Sequence, residues 1–212
     1  MKKIVFLGLF AVFFSILSCG TNNKKQEDIV EIEYDEDELN KIHSLGRAFL
    51  ATGGDPAVKA SLDTAKEKYK DYYYFDYIDG YLYLLKEDYS MAIKPFLMTL
   101  LADVKKPKEK VPFIKLNIAI CFDKLDSKED AEIFYHGAIE GINELILNEE
   151  NEKEKNMKKA IKAKIYFLMG DDLGYNTILE ELFLYQDDEI INDLQNIDKD
   201  EVLYSLIFID GP

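Results

Sequence analysis

The chain has 212 residues, of which 48% are hydrophobic, and its formal net charge is −15. This length and composition can support one sizeable core or a short array of stacked repeats, and they do not require a second domain. The acidic balance argues against a nucleic-acid-binding surface, which needs clustered lysine and arginine to neutralise phosphates. It also repels the chain from anionic lipid headgroups, so membrane association would need a covalent or hydrophobic anchor.

The N-terminus has the parts of an export signal. Lys2 and Lys3 form a positively charged region, and Ile4 to Leu17 is an almost unbroken apolar run. This run is shorter than the roughly 20 residues that a transmembrane helix needs, so it is predicted to be a signal peptide. Ser18 then places a small residue directly before Cys19.

This order of parts resembles the signal peptide and lipobox of bacterial lipoproteins. The resemblance implies that residues 1–18 are removed and that Cys19 becomes a lipidated first residue carrying fatty acids such as palmitate. Gly20, in place of an aspartate, favours sorting to the outer membrane if the host has two membranes. The alternative is an ordinary secretory signal that happens to lie beside a cysteine.

Residues 19–38 are predicted to form the lipidated cysteine and a flexible acidic tether. The tether ends in an acidic run from Asp35 to Glu38, which is favourable at the start of a helix. This run lacks the glycine turn and the distal glutamate of a calcium-binding loop, so no metal site is predicted there.

From Leu39 onward, one pattern of small and aromatic residues recurs along the chain. Its reference copy lies in the stretch Tyr72 to Leu100, which reads as one helix-turn-helix unit. The preceding copy is displaced by 34 residues and the following copy by 39. The four copies, the last of them weaker, are Gly80/Tyr83/Ala92/Phe96/Thr99, Gly46/Phe49/Val58/Leu62/Ala65, Ala119/Phe122/Ala131/Tyr135/Ala138 and Ala163/Tyr166/Tyr175/Leu179/Leu182.

The turn residues between the two helices of each copy agree with this period. The residues predicted to cap the second helices are Asp55, Asp88, Ser127 and Asp171. Gly53 and Gly170 lie just before two of these caps and predict helix stops. Pro56 stands at the first position of its predicted helix, where proline is well tolerated.

The pattern of small and aromatic residues resembles the tetratricopeptide repeat, whose period is about 34 residues. The resemblance covers roughly residues 39–188, although the family's usual Trp and closing Pro are absent. It implies an all-α fold: a short right-handed solenoid of stacked antiparallel helix pairs, with three to four repeats and with C-terminal capping helices at residues 189–212. A generic helical bundle is the alternative.

In this family, the first helices of successive repeats line a concave groove that binds a protein or peptide. The family's groove-facing offsets, transferred to this sequence, give Asn40, His43, Arg47, Tyr74, Tyr77, Tyr81, Phe113, Asn117, Asp123 and Lys124. An aromatic groove suits an extended or helical peptide, because tyrosine offers a large contact area and a hydrogen-bonding tip. For Tyr74, Tyr77 and Tyr81, packing between adjacent hairpins is the alternative role.

No residue pattern points to catalysis or to a cofactor. The chain has no phosphate-cradling glycine loop, no HExxH and no paired Cys-x-x-Cys. Cys121 lies in an apolar string and is predicted to be a small buried hydrophobe, without a disulfide partner if Cys19 is lipidated. His43 and His136 stand on different copies of the repeat, so we expect neither an enzyme nor a metal site.

These features predict a non-enzymatic, membrane-anchored lipoprotein of the bacterial cell envelope. It would act as a protein-protein interaction scaffold, as an accessory to an assembly or secretion complex. The alternative is a surface lipoprotein that holds a glycan or small ligand in its aromatic groove. The apolar run Val202 to Ile209 is predicted to pack against the last repeat, because lasting exposure would favour aggregation; the alternative is that a partner covers it.

Overall fold

The structure is a computed structural model that describes residues 35–102, 106–185, 188–196 and 198–208. Within these ranges 83% of the residues are helical, so the predicted all-α class is confirmed. The α-helices are α1 (Glu36–Ala51), α2 (Pro56–Lys68), α3 (Tyr74–Leu85), α4 (Tyr89–Leu101), α5 (Val111–Lys124), α6 (Lys128–Leu147), α7 (Glu152–Met169), α8 (Asp172–Leu184), α9 (Asp188–Gln195) and α10 (Lys199–Phe208). A short 3₁₀ helix, Lys108–Lys110, precedes α5.

The predicted signal peptide, Cys19 and most of the predicted tether lie outside the described residues. Helix α1 begins at Glu36, so the last three residues of the predicted tether, Glu36, Asp37 and Glu38, belong to its first turn. Acidic side chains are favourable there, because the N-terminus of a helix carries a partial positive charge.

Helices that are adjacent in the chain pack as pairs. Helix α1 packs on α2, α3 on α4, α5 on α6 and α7 on α8. Successive pairs also meet, since α3 contacts α1, α4 contacts α5, and α6 contacts α7. Each helical hairpin therefore buries its apolar faces against the next hairpin along the chain.

The same left-handed residue position ends the first helix of all four pairs. It is occupied by Gly53 (φ 67°), Glu87 (φ 57°), Asp126 (φ 59°) and Gly170 (φ 71°), and the first turn has one further residue of positive φ, Gly54 (φ 98°). In each turn, the following amide donates to the carbonyl oxygen five residues earlier, at 2.8–2.9 Å, which closes the first helix. The accepting carbonyls belong to Phe49, Tyr83, Phe122 and Tyr166, the aromatic positions of the sequence repeat. The backbone therefore repeats at the same offsets as the sequence.

Side chains cap the start of three of the four second helices, as predicted. The carboxylates of Asp55, Asp88 and Asp171 each accept a hydrogen bond from an amide in the first turn of the helix that follows. Ser127 occupies the fourth N-cap position but makes a different contact. Its hydroxyl donates to the carboxylate of Asp130 at 2.7 Å, and no side-chain cap forms.

Small residues allow the helices to approach closely. A Cβ atom built on Gly46 would lie 2.2 Å from Cδ1 of Ile78, at the contact between α1 and α3. A Cβ atom on Gly80 would lie 2.8 Å from the ring of Phe96, at the contact between α3 and α4. The first position of the repeat is therefore small because a neighbouring side chain occupies the space that a larger residue would need.

The two C-terminal helices differ in which earlier helices they contact. Helix α9 packs on α7 and α8, whereas α10 returns to pack on α7. In α10, Val202, Leu203 and Leu206 are only 1–3% exposed. For these three residues, the predicted burial of the apolar run is confirmed.

Candidate functional site

Predicted groove residues from three helices come together in one buried hydrogen-bonded cluster. The hydroxyl of Tyr74 on α3 donates to the carbonyl oxygen of His43 on α1, at 3.2 Å. The side-chain amide of Asn117 on α5 donates to the hydroxyl of Tyr81 at 2.9 Å, and the hydroxyls of Tyr77 and Tyr81 lie 3.4 Å apart. The sequence offsets therefore identify side chains that meet across α1, α3 and α5.

The same cluster is closed to solvent. Tyr74, Tyr77 and Tyr81 are 2%, 0% and 2% exposed, and Asn117 is 1% exposed. These four side chains are not the open groove surface that the sequence predicts, because their rings and amide fill the contacts between neighbouring helices. The packing alternative accounts for the three tyrosines, and a role for any of them in partner binding stays a prediction.

The aromatic rings of the cluster form a continuous set of contacts. The imidazole of His43 lies 4.1 Å from the ring of Tyr74, centroid to centroid. The ring of Tyr77 meets that of Tyr81 edge-on at 4.8 Å, and Tyr81 meets Phe96 edge-on at 5.5 Å. Edge-to-face pairs of this kind are favourable and fix ring orientation. The aromatic rings therefore fill the contacts between α1, α3 and α4 in defined orientations.

His43 is the residue of this cluster whose ordinary pKa lies nearest to neutral pH. Its Nε2 atom is hydrogen bonded to the hydroxyl of Tyr72 at 2.6 Å. Burial lowers the pKa of His43 below its ordinary value, and the positive charges of Arg47 and Lys110 lower it further. The neutral imidazole is therefore favoured in the folded chain, which suits a structural hydrogen bond to Tyr72.

Several predicted groove residues do reach the surface. Asn40 and Arg47 are exposed on α1, where the spacing from Asn40 to His43 and Arg47 places all three on one helix face. Phe113 at the start of α5 is partly exposed, and Lys124 at its end is exposed. The accessible residues of the predicted groove are therefore Asn40 and Arg47 on α1 and Phe113 and Lys124 on α5, which together form its rim.

Asp123, the remaining predicted groove residue, is already engaged within the chain. Its side chain is 9% exposed and pairs with Lys128 at 3.3 Å and with Lys199 at 3.5 Å. Lys199 is the first residue of α10, so this contact joins the end of α5 to the C-terminal helix. The sequence analysis identified Asp123 but missed Lys199.

The residues considered for catalysis do not form a group. Cys121 is fully buried, and burial raises the pKa of its thiol to about 12, which disfavours the nucleophilic thiolate. His136 is on α6 and lies 3.6 Å from the carboxylate of Glu132 on the same helix. His43 contacts Tyr72 and Tyr74 instead.

A shallow pocket that the sequence analysis missed lies between α1, α2 and α3. It is open to solvent, its cavity volume is only about 20 Å³, and its lining is apolar below and charged at the rim. The lining residues are Phe49, Lys59, Leu62, Asp63, Lys66, Phe75, Ile78 and Asp79. Lys59 pairs with Asp63 at 2.7 Å, and Lys66 lies 4.0 Å from Asp79, so the rim charges largely satisfy one another.

Comparison with known proteins adds no relative to these observations. A scan against protein-family models, a search of curated proteins and a search of solved structures each gave no match. Along the described ranges, every helix is too short or too polar to cross a membrane.

Proposed function

We propose that this chain is a non-enzymatic lipoprotein of the bacterial cell envelope whose helical array is a scaffold for protein-protein interaction. In this proposal, the helix pairs form a right-handed solenoid of tetratricopeptide type, and a lipid on Cys19 holds it at the membrane. The observation that supports it best is the recurrence of one turn geometry at Gly53, Glu87, Asp126 and Gly170, in step with the sequence repeat. Arrays of this type present extended surfaces to protein partners.

The burial of Tyr74, Tyr77 and Tyr81 favours one of the two candidate functions. Tyr74, Tyr77 and Tyr81 offer no open aromatic surface to a glycan, so the scaffold function is better supported than the small-ligand alternative. In their place, the exposed residues on the rim of the array would contact a partner. Arg47 supplies a cation on this rim, which can pair with a carboxylate of the partner.

Crosslinking and mass spectrometry of the lipidated protein in its own envelope test this function. We expect crosslinks from the exposed rim of α1 to one recurrent protein partner. Replacing Arg47 by Glu should weaken these crosslinks, whereas replacing Lys41 by Glu should not. Lys41 is a matched control, because it is an exposed cation on the same helix that points away from the face of Arg47.

Two results would contradict the proposed function. One is the absence of a recurrent protein partner in the envelope at native abundance. The other is equal loss of crosslinks in the Arg47→Glu and Lys41→Glu variants, which would indicate a general charge effect.

A further inference from the structure

The C-terminal helix departs from the packing order of the rest of the chain. Helix α9 follows α8 and packs on α7 and α8, as the first helix of a further pair would. Helix α10 does not continue that order, because it packs back on α7, the first helix of the fourth pair. Its first residue, Lys199, also reaches Asp123 at the end of α5, 3.5 Å away.

One face of α10 carries Lys199 together with three buried apolar residues. Lys199, Val202, Leu203 and Leu206 are spaced at positions i, i+3, i+4 and i+7, which places them on one stripe of a helix. The three apolar members of the stripe are buried. This i, i+3, i+4 and i+7 spacing of anchors is the one by which helices bind in a groove.

Polar contacts hold α10 at both ends of this stripe. The carboxylate of Asp123 pairs with Lys199 at the start of the helix. Further along, Lys164 on α7 donates to the hydroxyl of Ser205 at 3.5 Å and pairs with Asp193 on α9 at 2.8 Å. Lys164 is 13% exposed and Asp123 is 9% exposed, so both charges lie within the contact.

We propose that the face formed by α7 and the end of α5 is a helix-binding site, which α10 fills within the same chain. The partner it fits is a helix that carries a lysine followed by apolar residues three, four and seven positions later. Such a helix would displace α10 and pair its lysine with Asp123. This inference rests on the proposed scaffold function, because it names the kind of partner that the scaffold takes.

The length of α10 makes displacement feasible. A helix of 10 residues is marginal on its own in water, so its order depends on docking. The short connection after α9 keeps α10 at a high effective concentration near α7, so a free partner helix competes only when the docked helix is weakened or the partner binds more tightly.

A labelled synthetic peptide with the sequence of residues 198–208 tests the site on the full mature chain. Lys199→Ala removes the ion pair that α10 makes with Asp123, and Lys128→Ala is the matched control, because Lys128 is the other partner of the same carboxylate. We expect Lys199→Ala to bind the peptide about threefold to fivefold more tightly than the unmodified chain. Lys128→Ala should bind it as the unmodified chain does.

Hydrogen exchange locates the bound peptide. Binding should protect amides of α7 and increase exchange in α10. A second peptide, in which alanine replaces the lysine, should not bind the Lys199→Ala chain more tightly than the unmodified chain. Leu206→Asp, which places a charge in the buried stripe, should bind the peptide more tightly still; if it unfolds, the lysine variants decide alone.

Equal peptide affinity in Lys199→Ala and Lys128→Ala, or protection outside α5 and α7, would overturn the proposal. Failure of this site is distinguishable from failure of the proposed function. If the peptide displaces α10 from α7 but no crosslinked partner is found in the envelope, the helix-binding site is supported and only the scaffold function is refuted.

Discussion

Single residues set the geometry of the turns between paired helices. Two of the four turns place glycine at the left-handed position, and the other two place Glu87 and Asp126 there. A side chain in this conformation brings Cβ close to the following carbonyl oxygen, which is unfavourable by about 1–2 kcal/mol. The second and third turns therefore carry local strain that the first and fourth lack.

Asp126→Gly should consequently raise the free energy of unfolding by about 0.5–1 kcal/mol, because the backbone geometry is kept and the strain is removed. Chemical denaturation of the protein measures this change. Glu140→Gly is the control, since Glu140 is exposed in the interior of α6, where glycine should lower stability by about 0.5–1 kcal/mol. A loss of stability in Asp126→Gly would show that the turn is not strained.

His43 gives the stability of the chain a pH dependence. Burial and the neighbouring charges of Arg47 and Lys110 lower its pKa in the folded chain, while the unfolded chain keeps a pKa of about 6.5. The unfolded state therefore binds the proton first. The stabilising effect of the neutral imidazole is complete above the unfolded pKa and is lost as the pH falls through the lowered folded pKa.

We expect His43→Asn to flatten the fall in unfolding free energy between about pH 7 and pH 5. His136→Asn is the control for the loss of a histidine, because His136 is exposed on α6 and lies outside this cluster. Thermal or denaturant unfolding at a series of pH values provides the comparison, and the carboxylates that titrate in the same range contribute to every variant. Identical pH profiles for His43→Asn and the unmodified chain would refute the assignment.

At the scale of helices, the spacing between neighbours depends on where glycine lies against another helix. Gly46 faces Ile78 and the ring of Tyr74, and a Cβ atom would overlap both. Gly137 on α6 faces only the side chain of Lys115, whose Nζ atom donates to the Gly137 carbonyl at 3.2 Å. A flexible lysine can move aside, whereas packed rings and branched chains cannot.

Gly46→Ala should therefore lower the free energy of unfolding by about 1–3 kcal/mol, because α1 must move away from α3. Gly137→Ala should leave stability unchanged or raise it by about 0.5–1 kcal/mol through helix propensity. Both are glycine-to-alanine changes inside helices, so denaturation of the pair separates crowding from propensity. Similar effects of the two substitutions would show that the contact of Gly46 is not limiting.

At the scale of the whole molecule, local sequence signals predicted the helix pairs and their turns, and they did not predict what covers each helix face. Asp55, Gly53 and Gly170 act through neighbouring backbone atoms, so their roles are legible in the sequence. The burial of Tyr74 depends on contacts with α1, whose residues are about thirty positions away in the chain. Periodicity shows that side chains share a face but not whether that face is open.

The return of α10 to α7 illustrates the same limit. Its anchor spacing, from Lys199 to Leu206, is visible in the sequence. The partner of Lys199 is Asp123, on a helix five helices earlier in the chain, and no local signal joins the two residues. Only the folded chain identifies Asp123 as the acceptor.

The proposed lipid anchor also concerns the whole molecule, and Cys19→Ala tests it. This variant should fail to incorporate labelled fatty acid, because the cysteine that would carry the lipid is absent. A serine-to-alanine change at Ser18, which keeps a small residue before the cysteine, should retain the label. Incorporation of labelled fatty acid into Cys19→Ala would refute the anchor.

The complete burial of Cys121 gives the protein a built-in reporter of its own opening. Because the thiol is 0% exposed and burial raises its pKa to about 12, an alkylating reagent must wait for the surrounding helices to separate. The rate of alkylation, followed by mass spectrometry in intact cells, would then measure how often the helices around Cys121 separate in the cell. The variants at Asp126, His43 and Gly46 could be ranked in the cell by the alkylation rate of the Cys121 thiol, without purification and without a reporter group being introduced into the chain.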